Sequence, residues 1–181
     1  MEVFDTATGK VSQTFDLPEP MMDVQSFISG GTLYIVGGTT YNGYSRNVYA
    51  RVDDMWKPKA TMPYESEYIR GKGYNNDFVC AAVNKKGNVD ILKYVTDTKS
   101  WKIITSNYIN NLIYYGFDIM DNHIYLTGGY SYDSREVSDK TYSYDILTDI
   151  ANQNSDIPVR TVGFEYEQTN NSEIADAPEF L

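Results

Sequence analysis

The sequence predicts an all-β fold built from repeated four-stranded units, on three observations. Tyrosine occurs 17 times, and long helix-forming runs of Ala, Leu, Glu and Lys are missing, a bias toward side chains that pack well on a pleated surface. A strand–turn–strand segment recurs as Phe4 to Val11, Tyr49 to Trp56, Tyr94 to Trp101 and Tyr144 to Ala151. The second members stand at 11, 56, 101 and 151, so the steps are 45, 45 and 50 residues. Self-similarity at that period marks a repeat architecture.

Further landmarks fall in phase. Seven residues after each second member come Pro18, Pro63, Tyr108 and Pro158. Then follow Gly30-Gly31, Asn75-Asn76, Asp121-Asn122 and Asn170-Asn171, residue types that tolerate the positive φ of a two-residue hairpin turn. The run Leu33-Tyr34-Ile35-Val36-Gly37-Gly38 returns as Ile124-Tyr125-Leu126-Thr127-Gly128-Gly129, while the middle copy, Phe78 to Val83, keeps the apolar run and lacks the glycines. Each unit reads as four strands, a to d. In the first full unit these are about Val24–Ile28, Leu33–Gly37, Asn47–Val52 and Trp56–Met62. One such sheet cannot bury both faces alone; neighbours stacked face to face supply the core, which is the logic of a propeller.

A chain of 181 residues suits a single domain. The units span about 24–68, 69–112 and 113–160, with a closing unit from 161–178 together with 1–23. The chain opens with strands c and d (Val3 to Leu17) and closes with strand a (Thr161 to Gln168), the Asn170-Asn171 turn and an acidic strand b near Ile174 to Pro178. The ends are complementary, so three whole units plus a shared one give about four blades. The alternative is a segment of a larger propeller, because the last strand is acidic and contains proline.

The apolar run ending in Gly37-Gly38, with Tyr49 eleven residues on and Trp56 seven further, resembles the kelch repeat. The resemblance extends over nearly the whole chain, with departures. The unit of Tyr94 and Trp101 lacks the glycine pair, and the unit of Gly128, Gly129 and Tyr144 has Ala151 in place of the tryptophan. The resemblance implies a kelch-type β-propeller with one blade sewn from both chain ends, and a binding surface on the face carrying the b–c and d–a loops. Trp56 and Trp101 are expected in the core, wedged between blades. The paired glycines are expected to serve close backbone approach at the exit of strand b.

Charge narrows the partners. A net charge of -10 repels nucleic-acid phosphates and anionic membrane surfaces. No apolar run approaches the ~20 residues that cross a bilayer, and Met1 to Asp5 do not read as a signal peptide. Cys80 is the single cysteine, which excludes an intramolecular disulfide. The compartment stays open between cytoplasmic and processed extracellular.

Strand order puts the short a–b and c–d turns at one end and the b–c and d–a loops at the other, where recognition usually resides. Two b–c loops stand out, Thr39 to Arg46 and Tyr130 to Ser138. They supply the candidate binding residues Tyr41, Tyr44, Arg46, Tyr130, Tyr132, Asp133 and Arg135. Tyrosine and arginine give contact area and directed hydrogen bonds; the plainer reading is that they cover blade edges. The d–a loops add Tyr64, Glu65 and Glu67, then Asn110 and Asn111, then the candidate Arg160.

Catalysis finds little support in the residue types. His123 is the single histidine, short of a multi-histidine metal site or an acid/base pair. It also excludes a copper site like that of galactose oxidase, a kelch-like propeller with two histidines. Cys80 falls in an apolar strand. Arg70-Gly71-Lys72-Gly73 lacks the Ser or Thr and the helix of a phosphate loop. Asn170-Asn171-Ser172 matches a glycosylation sequon but coincides with a turn. The expectation is a non-enzymatic binding module for a protein or glycan partner, without cofactor or metal. The alternative is a carbohydrate-active enzyme using loop carboxylates, Asp133 with Glu136 or Glu65 with Glu67. A third reading is a structural unit that self-associates edge to edge.

Overall fold

The computed structural model describes residues 2–13, 16–148 and 150–153. The expected closing strands at 161–178, Arg160 and the Asn170-Asn171-Ser172 turn lie outside the described residues.

Every regular element among the described residues is a strand. A hairpin of β1 (Glu2–Asp5) and β2 (Lys10–Gln13) opens the chain. Next come β3 (Gln25–Ser29), β4 (Thr32–Val36), a small hairpin of β5 (Thr39–Thr40) and β6 (Gly43–Tyr44), β7 (Asn47–Val52) and β8 (Met55–Thr61). Then follow β9 (Ile69–Tyr74), β10 (Asp77–Val83), β11 (Val89–Val95) and β12 (Ser100–Ile109). The last group is β13 (Leu112–Ile113), β14 (Gly116–Met120), β15 (His123–Thr127), β16 (Tyr130–Ser131), β17 (Glu136–Val137), β18 (Thr141–Asp145) and β19 (Ile150–Gln153). Three four-stranded antiparallel sheets result, ordered β3-β4-β7-β8, β9-β10-β11-β12 and β14-β15-β18-β19. Each places the a, b, c and d strands side by side in chain order.

Backbone geometry explains the turns. Gly30, Gly31, Asn75, Asn76, Asp121 and Asn122 all adopt positive φ, between 48° and 74°, as the hairpin turn that matches strand twist demands. Asp53 and Asp54 do the same between β7 and β8. The a–b turns also touch across sheets: Ser29 Oγ donates to the Asn76 carbonyl, and the Tyr74 hydroxyl bonds the Asn122 side chain.

The middle sheet is covered on both sides. Along β10, Phe78, Cys80 and Ala82 join a cluster with Phe27, Val36, Val48 and Tyr94. The alternate residues Val79, Ala81 and Val83 join another with Ile91, Tyr115, Ile124, Leu126 and Tyr144. Burial of both faces is why this strand reads as a continuous apolar run. Strand β9 lies against both β3 and β14, so the a strands of the three sheets run as neighbours. Trp101 packs on Tyr94 and Phe78, with ring centroids 5.4 and 6.3 Å away. Both tryptophans are only half-buried, short of the expected core position; Trp56 Nε1 donates to the Asp16 carbonyl at 2.9 Å, holding the segment ahead of β3.

Candidate functional site

The b–c and d–a loops gather at one end of the sheets, and their backbones interlock. In the first sheet Met22 and Thr39 exchange backbone hydrogen bonds of 3.0 and 2.8 Å. In the third, β13 pairs with β16 in the equivalent place. A glycine permits each crossing. A Cβ on Gly38 would lie 2.9 Å from the Met22 carbonyl oxygen, and one on Gly129 would lie 2.7 Å from that of Ile113. Both glycines also adopt positive φ, +93° and +104°. The pairs read from the sequence therefore seat the two b–c hairpins on their d–a loops.

Sequence-selected residues fall in different settings on these hairpins. Tyr41 is 95 % exposed, and borders an open apolar groove of about 290 Å³ with Pro20, Met21, Met22, Thr39 and Thr40. Arg46 is tied down: Nε donates to the Met62 carbonyl at 2.8 Å, and Nη2 to the Met62 and Pro63 carbonyls at 2.5 and 3.1 Å. Its guanidinium clamps the b–c loop to the next d–a loop. Asp133 accepts from Asn111 Nδ2 at 2.7 Å, tying the third b–c loop to the d–a loop ahead of it. Arg135 is exposed in the turn between β16 and β17, at φ 55°.

Tyr44, Tyr130 and Tyr132 come together. The rings of Tyr130 and Tyr132 meet edge to face at 5.9 Å. Burial raises the Tyr132 hydroxyl above the ordinary tyrosine value, and the charges of Glu67, Tyr114, Tyr44 and Tyr130 push it the same way. That electrostatic reach brings the first b–c loop (Tyr44) and two successive d–a loops (Glu67 and Tyr114) to Tyr132 on the third b–c loop. Tyr44, Tyr114 and Tyr132 are 43, 48 and 47 % exposed, so each offers about half its surface to solvent.

Sequence reasoning passed over Tyr114 and Tyr68. Tyr114 holds φ 55°, a strained backbone for a bulky aromatic, and such strain collects at functional sites. Tyr68 is buried beneath it. Its ring stands 5.5 Å from Tyr114 and 4.9 Å from Tyr115, its hydroxyl donates to the Tyr115 carbonyl at 2.9 Å, and the Arg70 guanidinium lies 4.3 Å from its ring centre. The available signal was the pair Tyr114-Tyr115 in a d–a loop.

The second sheet differs from its neighbours. Its b–c connection is the tight loop 84–88, five residues against ten (37–46) and thirteen (128–140) in the others. Asn84 organises the loop: its Oδ1 accepts from the Lys86 and Asn88 amides, and its Nδ2 donates to Asp90 Oδ1 at 2.8 Å. A groove of about 350 Å³ opens above it, lined by Tyr44, Glu65, Glu67, Val83, Asn84, Lys85 and Gly87, a volume in the range of small-ligand pockets.

At the opposite end, His123 Nδ1 lies 2.9 Å from the Asp121 carbonyl oxygen and Nε2 lies 3.9 Å from Asp145. Cys80 is fully buried, and burial pushes its thiol well above the ordinary value. Among the described residues no three His, Cys, Asp or Glu side chains group as metal ligands.

The chain shares its fold with the solved structure of YjhT, at a TM-score of 0.69 and 13 % identity. The likeness covers 82 % of this chain and 56 % of YjhT, so the chain spans a little over half of that protein. With 147 chains of known structure matching, the likeness defines an architecture and not a ligand. No family model and no curated protein matches the sequence.

Proposed function

We propose that the three sheets are blades of a kelch-type β-propeller, and that the chain is a binding module receiving a protein or glycan partner on its b–c and d–a loop face. The phased glycine pairs, the repeated a-to-d strand order and the neighbouring a strands support the propeller reading. The observation that carries the binding reading is the gathering of Tyr44, Glu67 and Tyr114 about Tyr132, whose ring meets Tyr130 edge to face, so that half-exposed rings from b–c and d–a loops share one electrostatic neighbourhood. Rigid aromatic side chains lose little entropy on contact and suit stacking and hydrogen bonding alike.

The test compares wild type with Tyr44→Ala/Tyr132→Ala on glycan and peptide arrays, with Tyr41→Ala as a comparator and circular dichroism to verify folding. The double variant loses binding while Tyr41→Ala keeps it. A folded double variant that binds as wild type does would overturn the assignment of the site.

A further inference from the structure

The shortened b–c loop of the second sheet has a consequence for the whole face. The first and third sheets each carry a hairpin there, β5-β6 and β16-β17. The second carries only residues 84–88, because its strand b runs on as Ala81-Ala82-Val83 where its counterparts turn at a glycine pair. The degenerate repeat thus leaves a notch, and the groove of about 350 Å³ occupies it. Tyr44 stands on its wall, and the 84–88 loop closes its base.

That base is held in place. Asp90, buried under the loop, accepts from Asn84 Nδ2, from the Tyr64 hydroxyl and from the Asn107 amide, each at 2.8 Å. On the other flank a Cβ on Gly87 would come within 2.6 Å of Asn111 Oδ1, and Asn111 Nδ2 is already bonded to Asp133. The notch is therefore a held recess, bonded to the d–a loop of Tyr64 and packed closely against that of Asn111.

Its chemistry is one-sided. Glu65 and Glu67 are exposed on its rim, with no hydrogen-bond or ion-pair partner among the described residues. Tyr44 adds a half-exposed ring, and the chain carries a net charge of -10. Lys85 is the opposing charge in the lining. Two unpaired carboxylates beside an aromatic face suit a cation, held by charge and by the ring quadrupole.

We propose that this notch is the specificity pocket of the loop face, and that it takes a basic side chain, arginine or lysine, of an extended segment of a partner protein. The inference rests on the loop face being the binding surface and adds the chemistry of what enters it.

Fluorescence anisotropy with a labelled hexapeptide of alternating arginine and glycine tests it, against the same peptide with citrulline, which keeps the shape and removes the charge. The arginine peptide binds about tenfold more tightly than its citrulline counterpart, the scale of one or two exposed charge pairs with a cation–π contact. Glu65→Gln/Glu67→Gln abolishes that preference, and Lys85→Glu enlarges it. Equal binding of the two peptides, no binding of either, or a preference that survives Glu65→Gln/Glu67→Gln overturns the inference. A neutral oligosaccharide that binds wild type, is lost in Tyr44→Ala/Tyr132→Ala and ignores the charge variants overturns the inference alone and leaves the loop-face reading standing.

Discussion

The Tyr64 hydroxyl donates to Asp90 Oδ2 at 2.8 Å, joining a d–a loop to the strand beneath the notch. Asp90 is only 4 % exposed, and its other oxygen takes the Asn84 and Asn107 donors. A buried carboxylate is tolerated because its lone pairs are met. Asp90→Ala removes three hydrogen bonds and leaves donors unsatisfied, and the expected cost is about 2–4 kcal/mol in chemical denaturation. Asp90→Asn keeps the shape and loses less. An Asp90→Ala midpoint matching wild type would show that the network contributes nothing.

Two tyrosine hydroxyls, Tyr64 in a half-buried residue and Tyr94 in a buried one, offer a contrast. Tyr64 donates to a carboxylate, so Tyr64→Phe costs about 1.5–3 kcal/mol, the worth of a hydrogen bond to a charged group. The Tyr94 hydroxyl is buried with no hydrogen-bond partner among the described residues. Removing an unsatisfied polar atom relieves a desolvation cost, so Tyr94→Phe leaves stability within about 0.5 kcal/mol of wild type or above it. Paired urea melts check the order; Tyr94→Phe as the more damaging change would reverse the argument.

Gly38 and Gly129 make a prediction about the hairpins. Alanine at either position meets a carbonyl oxygen at 2.9 or 2.7 Å while holding a positive φ. Each substitution costs about 1–3 kcal/mol through strain and displaced backbone. The damage is local. Hydrogen exchange quickens at the Thr39 amide in Gly38→Ala and at the Tyr132 amide in Gly129→Ala, since these amides bond the d–a loops. Unchanged protection at both amides would remove the glycines from that role.

Much of the fold was legible because its determinants are local. Gly30-Gly31, Asn75-Asn76 and Asp121-Asn122 announce hairpin turns by the sign of φ that they accept, and the distance between them repeats the unit. Strand β10 was legible in place but not in meaning. Its missing glycines looked like decay of the repeat, whereas in space they create the notch. The candidate site was legible only in part. Tyr41 and Tyr132 share the same spacing from a glycine pair, yet the Tyr132 ring packs on Tyr130 while Tyr41 stands in solvent. Arg46 was read as a contact residue, and its guanidinium is bonded to two backbone carbonyls. The approach of Tyr114 and Glu67 to Tyr132 brings together loops far apart in the chain, and no local pattern encodes such an encounter.

Alkaline pH tests the tyrosine core. Burial, with the charge of Tyr34, pushes the Tyr94 hydroxyl up to about 12 from an ordinary 10.0. Burial also raises Tyr108 and Tyr115, and raises Tyr64 together with its hydrogen bond to Asp90. A raised folded-state value means that the unfolded chain releases these protons first. The stabilisation is complete below the ordinary tyrosine value and is lost as pH climbs from there through the folded-state values. Stability should therefore fall from about pH 10 toward pH 12. Phenolate absorbance followed alongside circular dichroism checks this. Part of the tyrosine signal ionises gradually, and the remainder arrives with the loss of β-structure in one cooperative step. Smooth ionisation of all 17 tyrosines with the sheet signal intact would mean that the hydroxyls between the sheets are open to water. Tyr94 and Tyr115 would then not be sealed from solvent in the folded chain.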